Sequence, residues 1–300
     1  MRTHRSPLRK PALVLGVAAS ALICIFAALV ALYAVVPPVS TLMIAGRIKG
    51  KSDERIYVSL DKISPAAVAA VVASEDAGFC RNDGVDWGAL KQALNRAGAR
   101  GPRRGASTIT MQTAKNLFLW PGRSAIRKSI EIGMALALGK VWSKRRTLEV
   151  YLNVAEWGDG IFGIEAASRR YFHKSANELD AGEGALLATS LPNPIRRNAA
   201  HPASYQRRLA RGVEARARAN PELLNCLAPT SATATLTQPL LPIASPSARP
   251  NQPQNQQKDG RPDSGVDDQT FDAADEMNAE ARQQPIAEQG ADNADGGVAD

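Results

Sequence analysis

Residues 64–84 read SPAAVAAVVASEDAGFCRNDG. Ser64 is of the N-capping type, and Pro65 suits the first helical position, where a missing N–H costs nothing. Small apolar residues fill positions 66–73, and the run then breaks into two adjacent carboxylates, Glu75 and Asp76. Phe79 follows, and a polar turn closes on Gly84. Neighbouring acids at the end of an apolar helix repel each other and gain nothing from packing, so chemistry is the better reason for them. Desolvation by the apolar run and repulsion by Asp76 both predict a raised pKa for Glu75, which suits a general base at neutral pH.

Outward from this stretch the pattern stays helical. VDWGALKQALNRAGAR (85–100) is amphipathic with its Lys/Arg on one side. Residues 124–158 predict two helices meeting near Trp142-Ser143, the second with Leu148, Leu152 and Ala155 at helical spacing. Segments 160–172, 175–194 and 202–219 continue in kind, and only RIYVSL (55–60) reads as a strand. There is no internal repeat, P-loop or Cys/His metal spacing. The fold class is mainly α, with helices around a cleft in a domain spanning 45–225, long enough for one sizeable core.

Residues 12–36, ALVLGVAASALICIFAALVALYAVV, carry no charge over 25 positions, enough to cross a hydrocarbon core of ~30 Å. A cleaved signal peptide would have a shorter apolar core, of about 7–15 residues. Arg2, Arg5, Arg9 and Lys10 lie in the basic segment 1–11, so the positive-inside rule keeps it cytoplasmic and sends the rest across the membrane. From 228 to 300 the chain is rich in Pro, Gln, Ala, Ser and Asp and has one aromatic residue, Phe271, a composition that predicts a disordered tail. Residues 251–300 hold twelve acids against three Lys/Arg; with the whole chain at +8, the remainder carries +17. A basic surface fits phosphate-bearing partners, and the anchor makes these lipid headgroups or a pyrophosphate substrate rather than nucleic acid. Cys24 lies in the span. Cys80 and Cys226, 146 positions apart, either pair or remain two buried thiols, the thiols being the simpler expectation.

Two further runs carry candidate chemistry. GASTITMQTAKNLFL (105–119) follows the basic loop RAGARGPRR (96–104) and offers Ser107, Thr108, Gln112 and Lys115. Hydroxyls, a carboxamide, helix-start N–H groups and a lysine can ligate an anion without a metal; taken alone, the run reads equally as a Ser/Thr cap with a solvated lysine. In GRSAIRKSIE (122–131), Arg127 and Lys128 lie four and three positions before Glu131, so both can neighbour it on a helix. Such a pair on a surface contributes only about 0.2–0.5 kcal/mol. The apolar IGMALALG after Glu131 points instead to a site beside the two cations and Arg123.

Here the chain resembles a known family. ASEDAGF…DG, GASTITMQTAKNLFL, RKSIE, SKRRTLEVYLNVAEWGDGIFGIEAASRRYF and LLATSLPNP are similar, in order and over about residues 59–205, to the motif series of family-51 glycosyltransferases, which polymerise peptidoglycan from lipid II. With no transpeptidase module after Ala228, the chain resembles the monofunctional members. The resemblance implies a lysozyme-like helical head with a smaller membrane-dipping lobe, which suits the amphipathic segment 87–104. It implies Glu75 as general base and Glu131 as second catalytic carboxylate. It places Asp76, Phe79, Asn82, Ser107, Thr108, Gln112, Lys115, Arg123, Arg127 and Lys128 at substrate- and phosphate-binding cleft positions. Two positions depart: Asn82 stands where the family usually has His, and Met111-Gln112 replaces Gln-Gln. The implied partners are lipid II, a lipid-linked glycan strand, the membrane, and proteins of cell-wall synthesis or division. The implied location is the bacterial inner membrane, with the catalytic domain on the outer, periplasmic face. No cofactor is required, with a divalent cation (Mg2+ or Mn2+) at the pyrophosphate as an open addition.

The expected reaction forms a β-1,4 bond with inversion and releases undecaprenyl pyrophosphate. A lytic glycosidase of the same shape is the nearest rival, but it cleaves an uncharged bond and needs no cationic pocket. An anchored interaction protein with a degenerate site is the other. Tyr151, Trp157 and Phe162 read as core, and Arg207, Arg208, Arg211, Arg216 and Arg218 as a solvated basic face. His173 and His201 carry no partner signal.

Overall fold

A computed structural model describes residues 9–97, 107–122 and 124–228. The basic loop around 98–106, Arg123 and the tail from 229 onward, expected to be disordered, lie outside the described residues.

Helix α1 (Arg9–Tyr33) contains a 21-residue apolar stretch, Leu13–Tyr33, long and apolar enough to cross a membrane. It ends three residues before the expected span does. Its C-terminal end is tied to the domain. The Trp142 indole N–H donates to the Val30 carbonyl at 2.9 Å, and Arg146 donates to the carbonyls of Tyr33 (2.8 and 3.0 Å) and Val36 (2.7 Å). A cation on the last carbonyls of a helix satisfies orphan acceptors and complements the helix dipole. Phe26 and Tyr33 also pack on the Phe118 ring. Ser40 then caps a short helix α2 (Thr41–Ile48) by accepting from the Met43 N–H.

The larger core gathers α3 (Pro65–Glu75), α7 (Lys144–Val154), α8 (Ile164–Phe172), α9 (Ala181–Ser190) and α10 (Ser204–Ala219) around Val71, Phe79, Leu148, Leu152, Trp157 and Leu187. Ser64 and Pro65 open α3 as their types predict, although the Ser64 hydroxyl makes no cap bond. Helix α9 crosses α3 closely because position 184 is glycine: a Cβ there would lie 2.6 Å from the Ala67 Cα. A second core joins α5 (Ile109–Phe118), α6 (Ala125–Val141) and the end of α1 through Met111, Leu117, Leu138, Trp142 and Val150. Helices α6 and α7 meet at Trp142-Ser143, where the Ser143 hydroxyl caps α7. Helix α4 (Trp87–Ala97) follows the Gly84 turn. Gly84 holds φ +108°, and a Cβ would sit 2.6 Å from the Ala135 carbonyl, so the loop after Glu75-Asp76 rests directly on α6.

The strand expectation needs correction. Only Glu54–Arg55 of that region pairs as a strand, β1; it runs parallel to β3 (Ile161–Phe162), which pairs antiparallel with β2 (Glu156–Gly158). Beyond Arg55 the backbone bonds to side chains of α7 rather than to a strand. Asn153 pairs with both the N–H and the carbonyl of Val58, and Glu149 accepts from the Leu60 N–H.

The expectation of two buried thiols is also overturned. Cys80 and Cys226 form a disulfide, with Cα atoms 5.4 Å apart. The end of α3 and the 3₁₀ turn Pro221–Leu227 pack side by side, a proximity that spacing in sequence does not encode. The bridge ties the loop that follows Glu75 to the C-terminal end of the described domain. Serine at both positions is expected to destabilise the domain by about 2–5 kcal/mol, or roughly 4–20 °C of Tm. Thermal unfolding with and without reductant checks this, since the reductant should lower the Tm of the parent alone.

Candidate active site

The two carboxylate stretches are linked through Lys115, which lies within electrostatic reach of both Glu75 and Glu131. Glu75 ends α3 and is half-buried. Its Oε2 accepts from the Gln112 amide at 3.0 Å, and its Oε1 accepts from the Ser74 hydroxyl at 3.4 Å. Burial raises its pKa above the ordinary glutamate value; the Gln112 and Ser74 bonds and the charges of Lys115 and Arg197 oppose that without cancelling it. Gln112 is itself held, because Tyr151 donates its hydroxyl to the Gln112 Oε1 at 3.1 Å. The chain Tyr151–Gln112–Glu75 therefore fixes one carboxylate oxygen through neutral donors.

On α6, Glu131 is 2% exposed and engages two cations: Arg127 donates to Oε2 at 3.2 Å and Lys128 to Oε1 at 2.6 Å. Lys128 also donates to the Ser107 hydroxyl at 2.7 Å. The Arg127 Nε is buried with no acceptor. Among the described residues, the Lys115 ammonium makes no hydrogen bond or ion pair. Burial lowers its pKa; the charges of Glu131 and Glu75 oppose the shift, and those of Arg127 and Lys128 add to it. Arg127 and Lys128 engage Glu131 directly, and Lys115 adds a third basic group within electrostatic reach of both carboxylates. Both Glu131 oxygens are taken by cations, and among the described residues no group of three His, Cys, Asp or Glu side chains could hold a metal ion.

Not every predicted residue faces the cleft. Asp76, at 7% exposure, turns back as the C-cap of α3 and accepts from the Ile109 N–H (3.1 Å) and the Asn82 amide (3.1 and 3.2 Å). Burial raises its pKa, and these bonds oppose the shift. Thr108 caps α5 by accepting from the Met111 N–H and donates to the Gly84 carbonyl at 2.6 Å. The first N–H groups of α5 are thus used inside the protein rather than offered to an anion. Phe79 is fully buried beneath Lys144, whose ammonium lies 4.6 Å from the ring centroid. Asn82 donates to Asp76 and the Gly78 carbonyl while accepting from the Gly84 N–H and Lys144, so it locks the loop. Met111 points into the second core, away from the cleft. Arg123 lies outside the described residues.

Three contributors escaped the sequence reading. Tyr151 looked like core, and its body is; Lys144, which bonds Asn82 and lies over the Phe79 ring, drew no reading of its own. Arg197 is 7% exposed, donates to the Thr189 carbonyl at 2.8 Å and lies over the Tyr205 ring, within electrostatic reach of Glu75. Its place in PNPIRR, just after an apolar helix, was the available signal.

A carboxylate and a cluster of cations within electrostatic reach of one another, on a helical domain, suit an enzyme acting on an anionic substrate. Residues 42–217 match the transglycosylase family, and the chain belongs to that family. Its lysozyme-like helical domain is the family's fold. It is 48% identical over 207 residues to a biosynthetic peptidoglycan transglycosylase of Brucella suis biovar 1 (strain 1330), covering 69% of this chain and 92% of the relative. Proteins of the same name from Agrobacterium fabrum (strain C58 / ATCC 33970) and Rhodospirillum centenum (strain ATCC 51521 / SW) are 50% and 53% identical, over 63% and 60% of this chain and 84% and 78% of those relatives.

Proposed function

We propose that this peptidoglycan glycosyltransferase polymerises lipid II by an inverting displacement in which Glu75 is the general base. Glu75 takes the proton of the 4-hydroxyl of the lipid II N-acetylglucosamine as that oxygen attacks the anomeric carbon of the lipid-linked strand. The carbon–oxygen bond to the pyrophosphate breaks, and undecaprenyl pyrophosphate leaves with its electron pair. Pyrophosphate needs little protonation to depart, so Lys115, Arg127 and Lys128 stabilise the developing charge. Glu131 acts as a positioning residue that holds Arg127 and Lys128 in place. Asp76, Thr108 and Asn82 act one step further out, by fixing the end of α3 against the start of α5.

The observation that carries this reading is the pairing of a half-buried Glu75, bonded by neutral donors, with a Lys115 that makes no hydrogen bond or ion pair among the described residues. A glycosidase cutting an uncharged sugar–sugar bond has no use for that cation. Orientation follows the same logic: the basic N-terminus stays cytoplasmic and the domain lies on the outer face, where an oxidising compartment suits the Cys80–Cys226 bridge. The test is lipid II polymerisation by the anchored protein in vesicles, with and without moenomycin, a mimic of the lipid-linked donor. Polymer that disappears with moenomycin supports the reading. Release of soluble muropeptides from cell-wall sacculi, without polymer, overturns it.

A further inference from the structure

A cavity of about 400 Å³ opens between β1 and α8, lined by Glu54, Arg55, Ile56, Ala166, Arg169 and Arg170. None of these residues takes part in the chemistry proposed above. Ala166, Arg169 and Arg170 share one face of α8 through i,i+3 and i,i+4 spacing, so two arginines of the helix and one of the strand line the same space. The acids around them are already engaged or loosely held. Asp53 accepts two bonds from Arg47, at 2.8 and 2.9 Å. Glu165 accepts from Arg169 and from the Ala176 N–H, each at 2.7 Å. Glu54 lies 3.5 Å from Arg170 with both side chains more than half exposed, a pair that contributes little. Arg55 is the least satisfied of the three. Its Nη1 reaches only the Met43 sulfur at 3.9 Å, its Nε and Nη2 are buried with no acceptor among the described residues, and its guanidinium lies 5.2 Å from the Tyr57 ring centroid. An unpaired buried donor is costly, and a guanidinium can take a carboxylate through two parallel bonds.

The second feature is a sheet edge. In the strand order β1–β3–β2, β1 has a neighbour on one side only, and Ile56 just beyond it is 44% exposed. An edge strand offers backbone N–H and C=O groups to an extended chain, and the side chains beside it select among such chains. The geometry points to a docking site for an extended acidic segment of a partner protein, laid along the edge of β1 with its carboxylates on Arg55, Arg169 and Arg170 and an apolar side chain against Ile56. Charge complementarity selects this occupant, because three arginines stand against the two carboxylates of Glu54 and Glu165. The strand edge favours a peptide over a free anion, and the volume lies within the range of ligand sites.

The experiment uses the full chain in vesicles of zwitterionic lipid and two fluorescent peptides of about ten residues, one alternating Glu and Val and one alternating Gln and Val. The Glu–Val peptide is expected to bind at least about tenfold more tightly than the Gln–Val peptide, with an advantage that shrinks in salt. A photoreactive group at its centre should label residues 54–56 and 166–170. The double substitution Arg169→Gln, Arg170→Gln, at exposed positions of α8, should cost about tenfold in affinity and leave Tm and lipid II polymerisation unchanged. Ile56→Glu keeps all three arginines but adds a charge that repels the peptide, and it should weaken binding as well. The exposed arginines of α10 supply the control: Arg207→Gln with Arg211→Gln should leave binding as it was. No binding of the Glu–Val peptide, equal binding of the two peptides, labelling elsewhere, or a loss confined to the α10 variant overturns the inference.

Discussion

Glu75→Gln is expected to cut lipid II polymerisation by about 10²–10⁴-fold, the usual contribution of a positioned general base, without disturbing the fold. Glutamine keeps the shape and can still accept from Gln112, but it cannot take a proton. The same substitution should stabilise the protein at neutral pH. The folded-state pKa of Glu75 is raised, mainly by burial, so the fold prefers the protonated carboxyl. Its favourable contribution is full below the unfolded-state value, about 4.3, and is lost as pH rises through the raised folded value. At pH 7–8 the variant should therefore melt above the parent, and the gap should close toward pH 4. Activity and Tm measured on one preparation separate this from unfolding. A variant that polymerises near the parental rate would remove Glu75 from the chemistry.

Lys115→Met is expected to lose about 10²–10³-fold in kcat/KM, comparable to deleting a donor that faces developing negative charge. The side chain is half-buried and makes no ion pair among the described residues, and its pKa is lowered first by burial. A lysine with a lowered pKa costs stability wherever it must stay charged, so methionine should leave Tm unchanged or higher. Lys115→Arg keeps the charge and should recover much of the lost activity. Equal activity in the Met and Arg variants would mean that the residue packs rather than binds phosphate.

The site was legible to different depths. Helix α3 and the α6–α7 break follow from periodicity, and the pairing of Arg127 and Lys128 with Glu131 from i,i+4 and i,i+3 spacing. The approach of Glu75 to Gln112, 37 positions on, was implied only by the resemblance in motif order. Asp76 did not follow. Beside Glu75 in sequence, it turns the other way, since the backbone leaves the helix there at φ −160°, ψ 77° and aims the carboxylate at the start of α5. Alternation in residues 55–60 is the same whether an extended chain pairs with a strand or with Asn153 and Glu149, so the partner was invisible. The β2–β3 hairpin did leave a trace in Gly158-Asp159-Gly160, a turn signal between short apolar ends. The disulfide and the Tyr151–Gln112 bond depend on tertiary approach, which one sequence does not carry.

The pH dependence of kcat/KM for lipid II polymerisation by the anchored protein bears most directly on the half-buried base. Rate should rise with pH through a single ionisation whose pKa lies above the ordinary glutamate value, and that limb should vanish from the residual rate of Glu75→Gln. A profile flat down to pH 4, or the same limb surviving in the variant, would contradict the account.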